Sequence, residues 1–377
     1  MGTQDLSSVR AWVDVDLGAL VANYDSLQER AKPRVGMLPV VKADAYGVGF
    51  CPVVRALEPR QPWGYGVAAV AEGLELRERG IDRRVVLLFS TPEELDLAAE
   101  ASLTPGIGDL EALERYRACA KRVDRRLPFH LEIDTGIGRC GFHHAAVADW
   151  LPRVLEACEA ELEWEGTFAH FHSADEEDEQ PSREQWKRFQ QCVQSFPDGA
   201  GGVHHVAASV SATRWPEYGA DLLRPGLFLY GGTGGNEAIL PQPVITVRAR
   251  VTAVRDVPAG WTASYGATYK AEGPSRWATL AIGYADGVPR ALSNNGVVTF
   301  GDQQAPIIGR VCMDVIVVDV TGLEGVVPGS VCTVIGGSPN APTSLQAVAD
   351  RCDTITYDIL TGLSRRLPRR YNVVAQS

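Results

Sequence analysis

No two cysteines in this chain are closer than 18 residues, so there is no CxxC pair, and a zinc ribbon or thioredoxin-type redox motif is excluded. The eight cysteines, at positions 51, 119, 140, 158, 192, 312, 332 and 352, read as free and mostly buried thiols. Positive charge is in deficit: 36 Lys and Arg face 47 Asp and Glu, a net charge of −11. That balance argues against nucleic acid or anionic lipid as a partner. Long apolar runs are missing too. The longest uncharged stretch, 325–349, is broken by Pro328, Pro339 and Pro342 and is no membrane span. The opening MGTQDLSSVR lacks an apolar h-region, so no signal peptide is expected and a cytoplasmic location is the default. There is no internal repeat, and the one biased patch, the acidic run 175–179, reads as a solvated loop. What remains is an ordinary globular composition, 45% hydrophobic and 22% charged over 377 residues. Such a chain can bury a substantial core and fill two or three domains, or one large barrel with a smaller partner.

Short apolar runs at 37–41, 65–70, 85–89, 103–107, 129–133, 164–169, 203–207 and 222–230 alternate with helical patterns. The latter include 17–30, 72–79, 110–121, 145–159 and 183–196. Alternation of this kind predicts a parallel sheet, and eight units over residues 10–243 suit a TIM-type (β/α)8 barrel, with a doubly wound sheet as the alternative. From residue 244 to 377 the texture changes. Runs at 244–254, 278–283, 297–300, 306–311, 315–320 and 331–335, with Gly and Pro between them, predict a mainly antiparallel β domain, which residues 1–9 are expected to join. One helix is expected there, at 344–351.

Several residues sit where chemistry is found. Lys42 ends an apolar strand, at the C-terminal rim where barrel enzymes keep their active sites; partly desolvated, it would be a nucleophilic amine, and otherwise a strand-end lysine in solvent. Arg139 follows a strand in EIDTGIGRCG, a glycine loop that either aims it at a carboxylate or phenolate or leaves it on a surface turn. His170 and His172, in HFHSAD, invite a metal reading, but no further Cys or His lies at helpful spacing and no metal is expected. One of them, facing a barrel mouth, would pack on a flat cofactor. Ser209 and the Pro225-Gly226 turn lie after the seventh and eighth strands, where barrels bind phosphate. GTGGNE at Gly232, and GYGVAA at Gly64, are not dinucleotide fingerprints.

Taken in order, VVKADAYGVG, DTGIGRCG, HFHSADE, LLRPGLFLYG, SYGATY, GYADGVPR, GRVCMD, TITYDIL and RLPRRY resemble the bacterial alanine racemase family over residues 10–371. The resemblance implies a pyridoxal 5'-phosphate enzyme with a (β/α)8 barrel and a C-terminal β domain. It also implies a homodimer whose active sites each combine the barrel of one chain with the β domain of the other, acting on a small amino acid. By matching strings, Lys42 is the cofactor-bearing lysine and one base, and Tyr265 the opposite base. Tyr46, Ser209, Gly226, Leu227 and Tyr357 match the phosphate cradle, and His170 the residue packed on the pyridine ring. Arg139 matches the arginine near the cofactor phenolate and the substrate carboxylate. Met313 matches the residue whose backbone N–H receives that carboxylate. Tyr284, Arg290, Arg310 and Asp175 match the substrate entrance. Arg224 matches the arginine facing the pyridine nitrogen; being permanently protonated, it leaves the ring a weaker electron sink, which disfavours transamination. A tyrosine base near neutral pH needs a neighbouring cation to lower its pKa from about 10.

Three positions depart from the family pattern. Val48 replaces a histidine, Ala208 an asparagine, and Glu132 a lysine that is often carbamylated. Glu132 already carries a carboxylate, so it is expected to support Arg139 by direct pairing. The function implied is racemisation of alanine, supplying D-alanine for peptidoglycan. A racemase of the same architecture with serine or broad specificity, or a non-catalytic pyridoxal-phosphate carrier, is the alternative; intact Lys42 and Tyr265 argue against the carrier.

Overall fold

Each apolar run of the first half becomes a parallel strand, and hydrogen bonds join each strand to the next around a full circle. In this computed structural model, which describes residues 8–372, the strands are Gly36–Met37, Gly64–Val67, Arg84–Leu87, Thr104–Ile107, Leu127–Asp134, Leu162–Phe168, Val203–His205 and Leu222–Leu223. The second to seventh form one continuous parallel sheet. Leu222–Leu223 pairs with Gly36–Met37, and single bridges Val40↔Gly66 and Ala208↔Arg224 complete the two remaining seams. A closed barrel, not a doubly wound sheet, is the result.

Local sequence explains the elements. Leu17–Arg30 begins where the Asp16 carboxylate accepts from Ala19 N at 2.9 Å, an N-cap. It buries Leu17, Leu20, Val21, Tyr24 and Leu27, one face of a helix. Helices Phe50–Leu57, Glu94–Glu100 and Ser209–Arg214 were not legible as periodic patterns; they have only eight, seven and six residues.

In the second half, Ile245–Val257, Ser275–Leu280, Ile316–Asp319, Gln303–Ile308, Val297–Phe300 and Val331–Gly336 form an antiparallel circuit that returns to its first strand. Ile245–Val257 closes it by pairing on both sides, helped by a register shift between Val251 and Ala253 that bends the strand. The expected helix lies at Leu345–Arg351, capped by Ser344.

The boundary at residue 10 needs correction. Ala11–Asp16 pairs antiparallel with Ile245–Val257 and parallel with Arg369–Asn372, so it belongs to the β domain. Side chains account for the choice: Asp14 lies 2.6 Å from Arg370 and 3.3 Å from Arg248, and Trp12 lies under the Arg250 guanidinium. The expectation for residues 1–9 falls mostly on residues 1–7, outside those described. One apolar core runs through both domains, from Val13 and Val40 to Val247 and Ile316. Among the described residues no helix is long and apolar enough to cross a membrane.

Candidate active site

A cavity of about 390 Å³ opens at the C-terminal ends of the barrel strands. Lys42, Tyr46, Arg139, His170, Asp175, Ser209, Arg224, Gly226, Leu227 and Tyr357 all line it. Nine of these ten come from loops and short helical turns that follow the barrel strands, and Tyr357 comes from the helix Thr356–Thr361.

Lys42 opens an unusual turn. Ala43, Asp44, Ala45 and Tyr46 have φ between 52° and 56°, four successive non-glycine residues in the left-handed region. Each costs about 1–2 kcal/mol, and such strain persists only where the surroundings over-determine it. Here Glu72 accepts from Ala43 N at 2.6 Å and from Ala68 N at 2.8 Å, and Asp44 accepts from Phe50 N at 2.9 Å. Arg369, from the β domain, donates to Gly47 O at 2.8 Å. The turn brings Lys42 and Tyr46 into the same cavity. Burial and then the Arg139 cation lower the Lys42 pKa, with Arg224 adding to this and Glu72 opposing it. Lys42 Nζ and the Arg139 guanidinium lie 5.8 and 4.6 Å from the Phe89 ring centre. Glu72 and Phe89 were missed from sequence, since a strand-end phenylalanine and a helix glutamate carry no signal of their own.

At the other end, the Ser209 hydroxyl accepts from Gly226 N at 3.0 Å and Phe228 N at 3.2 Å. Tyr46 stacks on Tyr230, centroids 4.8 Å apart, and lies 6.1 Å from Tyr357. Burial raises the Tyr46 pKa and lifts that of Tyr357 to about 12, so both phenols are donors at neutral pH. A Cβ on Gly226 would come within 2.4 Å of Tyr46 Oη; the glycine leaves room between hydroxyl and backbone.

Arg224 is buried on the cavity floor. It donates to the carbonyls of Ala169 (2.8 Å) and Val206 (3.0 Å) and to Nδ1 of His205 (2.9 Å) and of His170 (3.2 Å). Among the described residues Nη1 and Nη2 find these partners and Nε makes no hydrogen bond. Desolvation lowers the Arg224 pKa to about 10, and burial with the cations of Arg224, Arg139 and Lys42 takes His170 down to about 3, so His170 is neutral. His172 lines the same cavity and contacts Ser173 Oγ at 2.6 Å.

Glu132 departs from the expected pairing. It is buried and forms no ion pair with Arg139, which is exposed at the mouth. Burial pushes the Glu132 pKa up to about 7, although Arg139 and Arg224 pull it down.

The remaining residues form a second group on the β domain. Tyr265 (73% exposed), Met313, Tyr284, Arg290 and Arg310 lie outside the cavity. Their loops are tied together: Ser264 Oγ donates to Arg310 O at 2.6 Å, Tyr284 N to Cys312 O at 2.9 Å, and Val311 N to Ser293 Oγ at 3.0 Å. The Arg310 guanidinium lies against Gly266, next to Tyr265.

The cavity fits a flat, carbonyl-bearing ring with an anionic phosphate, the shape of pyridoxal 5'-phosphate. It offers an amine, a neutral imidazole, a free arginine N–H and a group of hydroxyl and backbone donors.

Two family descriptions cover the chain, "Alanine racemase, N-terminal domain" over residues 15–234 and "Alanine racemase, C-terminal domain" over residues 244–371. An alanine racemase of Carboxydothermus hydrogenoformans is 37% identical over 96% of this chain and 99% of its own length. One from Halothermothrix orenii is 35% identical, covering 96% of each. Among solved structures, the alanine racemase of D-cycloserine-producing Streptomyces lavendulae superposes with a TM-score of 0.91 at 32% identity, covering 97% of this chain and 98% of that one. That of Bartonella henselae, solved with covalently bound pyridoxal phosphate, gives 0.87 at 28% identity, covering 97% and 100%.

Proposed function

This chain belongs to the alanine racemase family of amino-acid isomerases, and from that premise we propose that it interconverts L- and D-alanine with two bases, Lys42 of one protomer and Tyr265 of its partner. The observation that carries the reading is a lysine of lowered pKa sharing one cavity with an anion cradle, while the second base candidate stands exposed on the other domain. Pyridoxal 5'-phosphate, when bound, supplies the electron sink that acidifies the substrate's Cα–H.

The chain's own groups do the rest. Tyr46, Ser209, Tyr357 and the backbone at Gly226 and Leu227 would hold the phosphate. His170, neutral, would pack against the cofactor's ring, and Arg224 would donate to that ring from its Nε–H while staying protonated at working pH. Lys42 Nζ takes or returns the proton on one face of Cα, and its lowered pKa keeps more of it neutral at working pH. Tyr265 Oη does the same on the other face. Arg139 and the backbone N–H of the partner's Met313 orient the substrate carboxylate, and Asp175, Tyr284, Arg290 and Arg310 line its approach. D-Alanine made this way supplies peptidoglycan synthesis.

The test is incubation of the cofactor-loaded protein with L-alanine, D-alanine, L-serine and other L-amino acids, followed by chiral chromatography. Fast interconversion of alanine in both directions, with little of the others, is expected. Faster serine turnover would move the substrate, and no racemisation despite bound cofactor would overturn the reading.

Gly226→Ala is expected to weaken cofactor binding at least about tenfold, the worth of one lost hydrogen bond to a charged group. Its methyl would occupy the space against Tyr46 Oη. Absorbance titration of the stripped variant with pyridoxal phosphate measures this; unchanged affinity would remove Gly226 from the cradle.

A further inference from the structure

Behind Arg224 lies a row of buried polar side chains that the reaction as described does not use. His205 Nδ1 is 2.9 Å from Arg224 Nη1, and His205 Nε2 is 2.7 Å from His130 Nδ1. His130 Nε2 lies 3.5 Å from Glu165 Oε2, within ion-pair range, and makes no hydrogen bond. Glu165 receives Arg84 Nε at 2.6 Å and Thr104 Oγ1 at 3.3 Å. Both imidazoles are fully buried. The row runs from the active-site floor through the barrel interior to Arg84, whose side chain is half exposed at the start of its strand. Space is reserved for it: a Cβ on Gly166 would strike the His130 ring at 2.6 Å.

The protons in this row have one consistent order. Arginine has donors only, so His205 must accept at Nδ1 and, being neutral, carries its proton on Nε2. That proton is donated to His130 Nδ1, which places the His130 proton on Nε2, facing the Glu165 carboxylate. Burial keeps both imidazoles from charging, foremost among the influences on each.

We infer that His130 is a positioning residue for Arg224: the relay His130–His205–Arg224, with the Glu165 carboxylate 3.5 Å beyond, keeps His205 in the tautomer whose Nδ1 receives Arg224 Nη1 and so holds the guanidinium with its Nε–H turned to the cavity. The inference rests on the reading of Arg224 as the cofactor's ring partner. A misturned guanidinium would still be charged and buried, but it would present the wrong N–H to the ring.

The test uses cofactor-loaded protein labelled with 15N-histidine. With only seven histidines, signals can be assigned by substitution. Wild type is expected to show His130 and His205 both protonated at Nε2. His130→Leu removes the acceptor for His205 Nε2–H; its kcat for alanine is expected to fall about tenfold with KM within about twofold, the visible cofactor band to move, and the His205 resonances to shift. His130→Gln keeps an acceptor for His205 and a donor toward Glu165, and is expected to restore kcat and the band to within about twofold of wild type. A His205 proton on Nδ1 in wild type would overturn the relay, as would equal defects in the Leu and Gln variants. Failure of the functional reading is distinguishable: it would appear as no racemisation by wild type, whatever the tautomers.

Discussion

Mixing Lys42→Ala and Tyr265→Phe proteins is expected to restore racemisation that neither has alone. Each substitution removes one proton-transfer group and should cut turnover by about 10³-fold or more. In a two-fold dimer whose sites combine two chains, random exchange makes about half the dimers mixed. One site of a mixed dimer joins the mutated barrel to the mutated β domain. The other joins an intact Lys42 to an intact Tyr265, so the mixture should recover about a quarter of wild-type activity. Sites built within one chain would recover nothing, because every site would then keep a defect.

The geometry behind this expectation is the separation of the two groups. Lys42 lines the cavity, whereas Tyr265 stands outside it on a turn held in the left-handed region by Ser264 (φ 62°), Gly266 (φ 74°) and Ala267 (φ 49°). Tyr265→Phe deletes only a hydroxyl and leaves the exposed ring for a partner to cover. Light scattering before and after mixing shows whether each variant is dimeric and whether exchange occurred without aggregation.

Sequence and structure agree best where a pattern is repeated. Eight short apolar runs alternating with helical patterns predict a parallel sheet and suit a barrel, and the barrel's site residues sit past the ends of the strands because a parallel barrel places every strand's C-terminus on one rim. Legibility fails where position depends on a distant partner. The strand AWVDVD is not among the runs read from sequence, and its place in the β domain's sheet depends on Arg248 and Arg370, more than 200 residues away. His130 and His205 look like isolated histidines, one inside a strand and one at a strand's end, and only barrel closure brings them within 2.7 Å. Glu72 belongs to a helix pattern, yet its carboxylate steadies the left-handed turn after Lys42. The direct Glu132–Arg139 pair is absent for a similar reason, since spacing along the chain does not reveal that one side chain is buried and the other exposed.

Glu132→Gln should therefore stabilise the protein, and do so only as pH rises. The carboxyl sits inside the barrel, facing Arg139, Arg224 and Asp134, and burial lifts its pKa from 4.5 to about 7. The folded state thus keeps a proton that the unfolded chain releases, and ionisation favours unfolding. Stability present below the unfolded value is lost as pH climbs through about 7, after which the loss is constant, amounting to about 3 kcal/mol. Glutamine keeps the shape and cannot ionise. Denaturant unfolding at pH 4.5, 6 and 8 should show the variant gaining nothing at the first, part at the second, and the full difference at the third. A variant less stable than wild type at pH 8 would mean that Glu132 is ionised and paired with an arginine in solution. In that event the cofactor spectrum and turnover of Glu132→Gln should change as well, because the charge would be supporting Arg139. An unaltered spectrum together with a pH-dependent gain in stability would assign Glu132 to the cost of the barrel interior and leave Arg139 to be held by the Phe89 ring, 4.6 Å from its guanidinium.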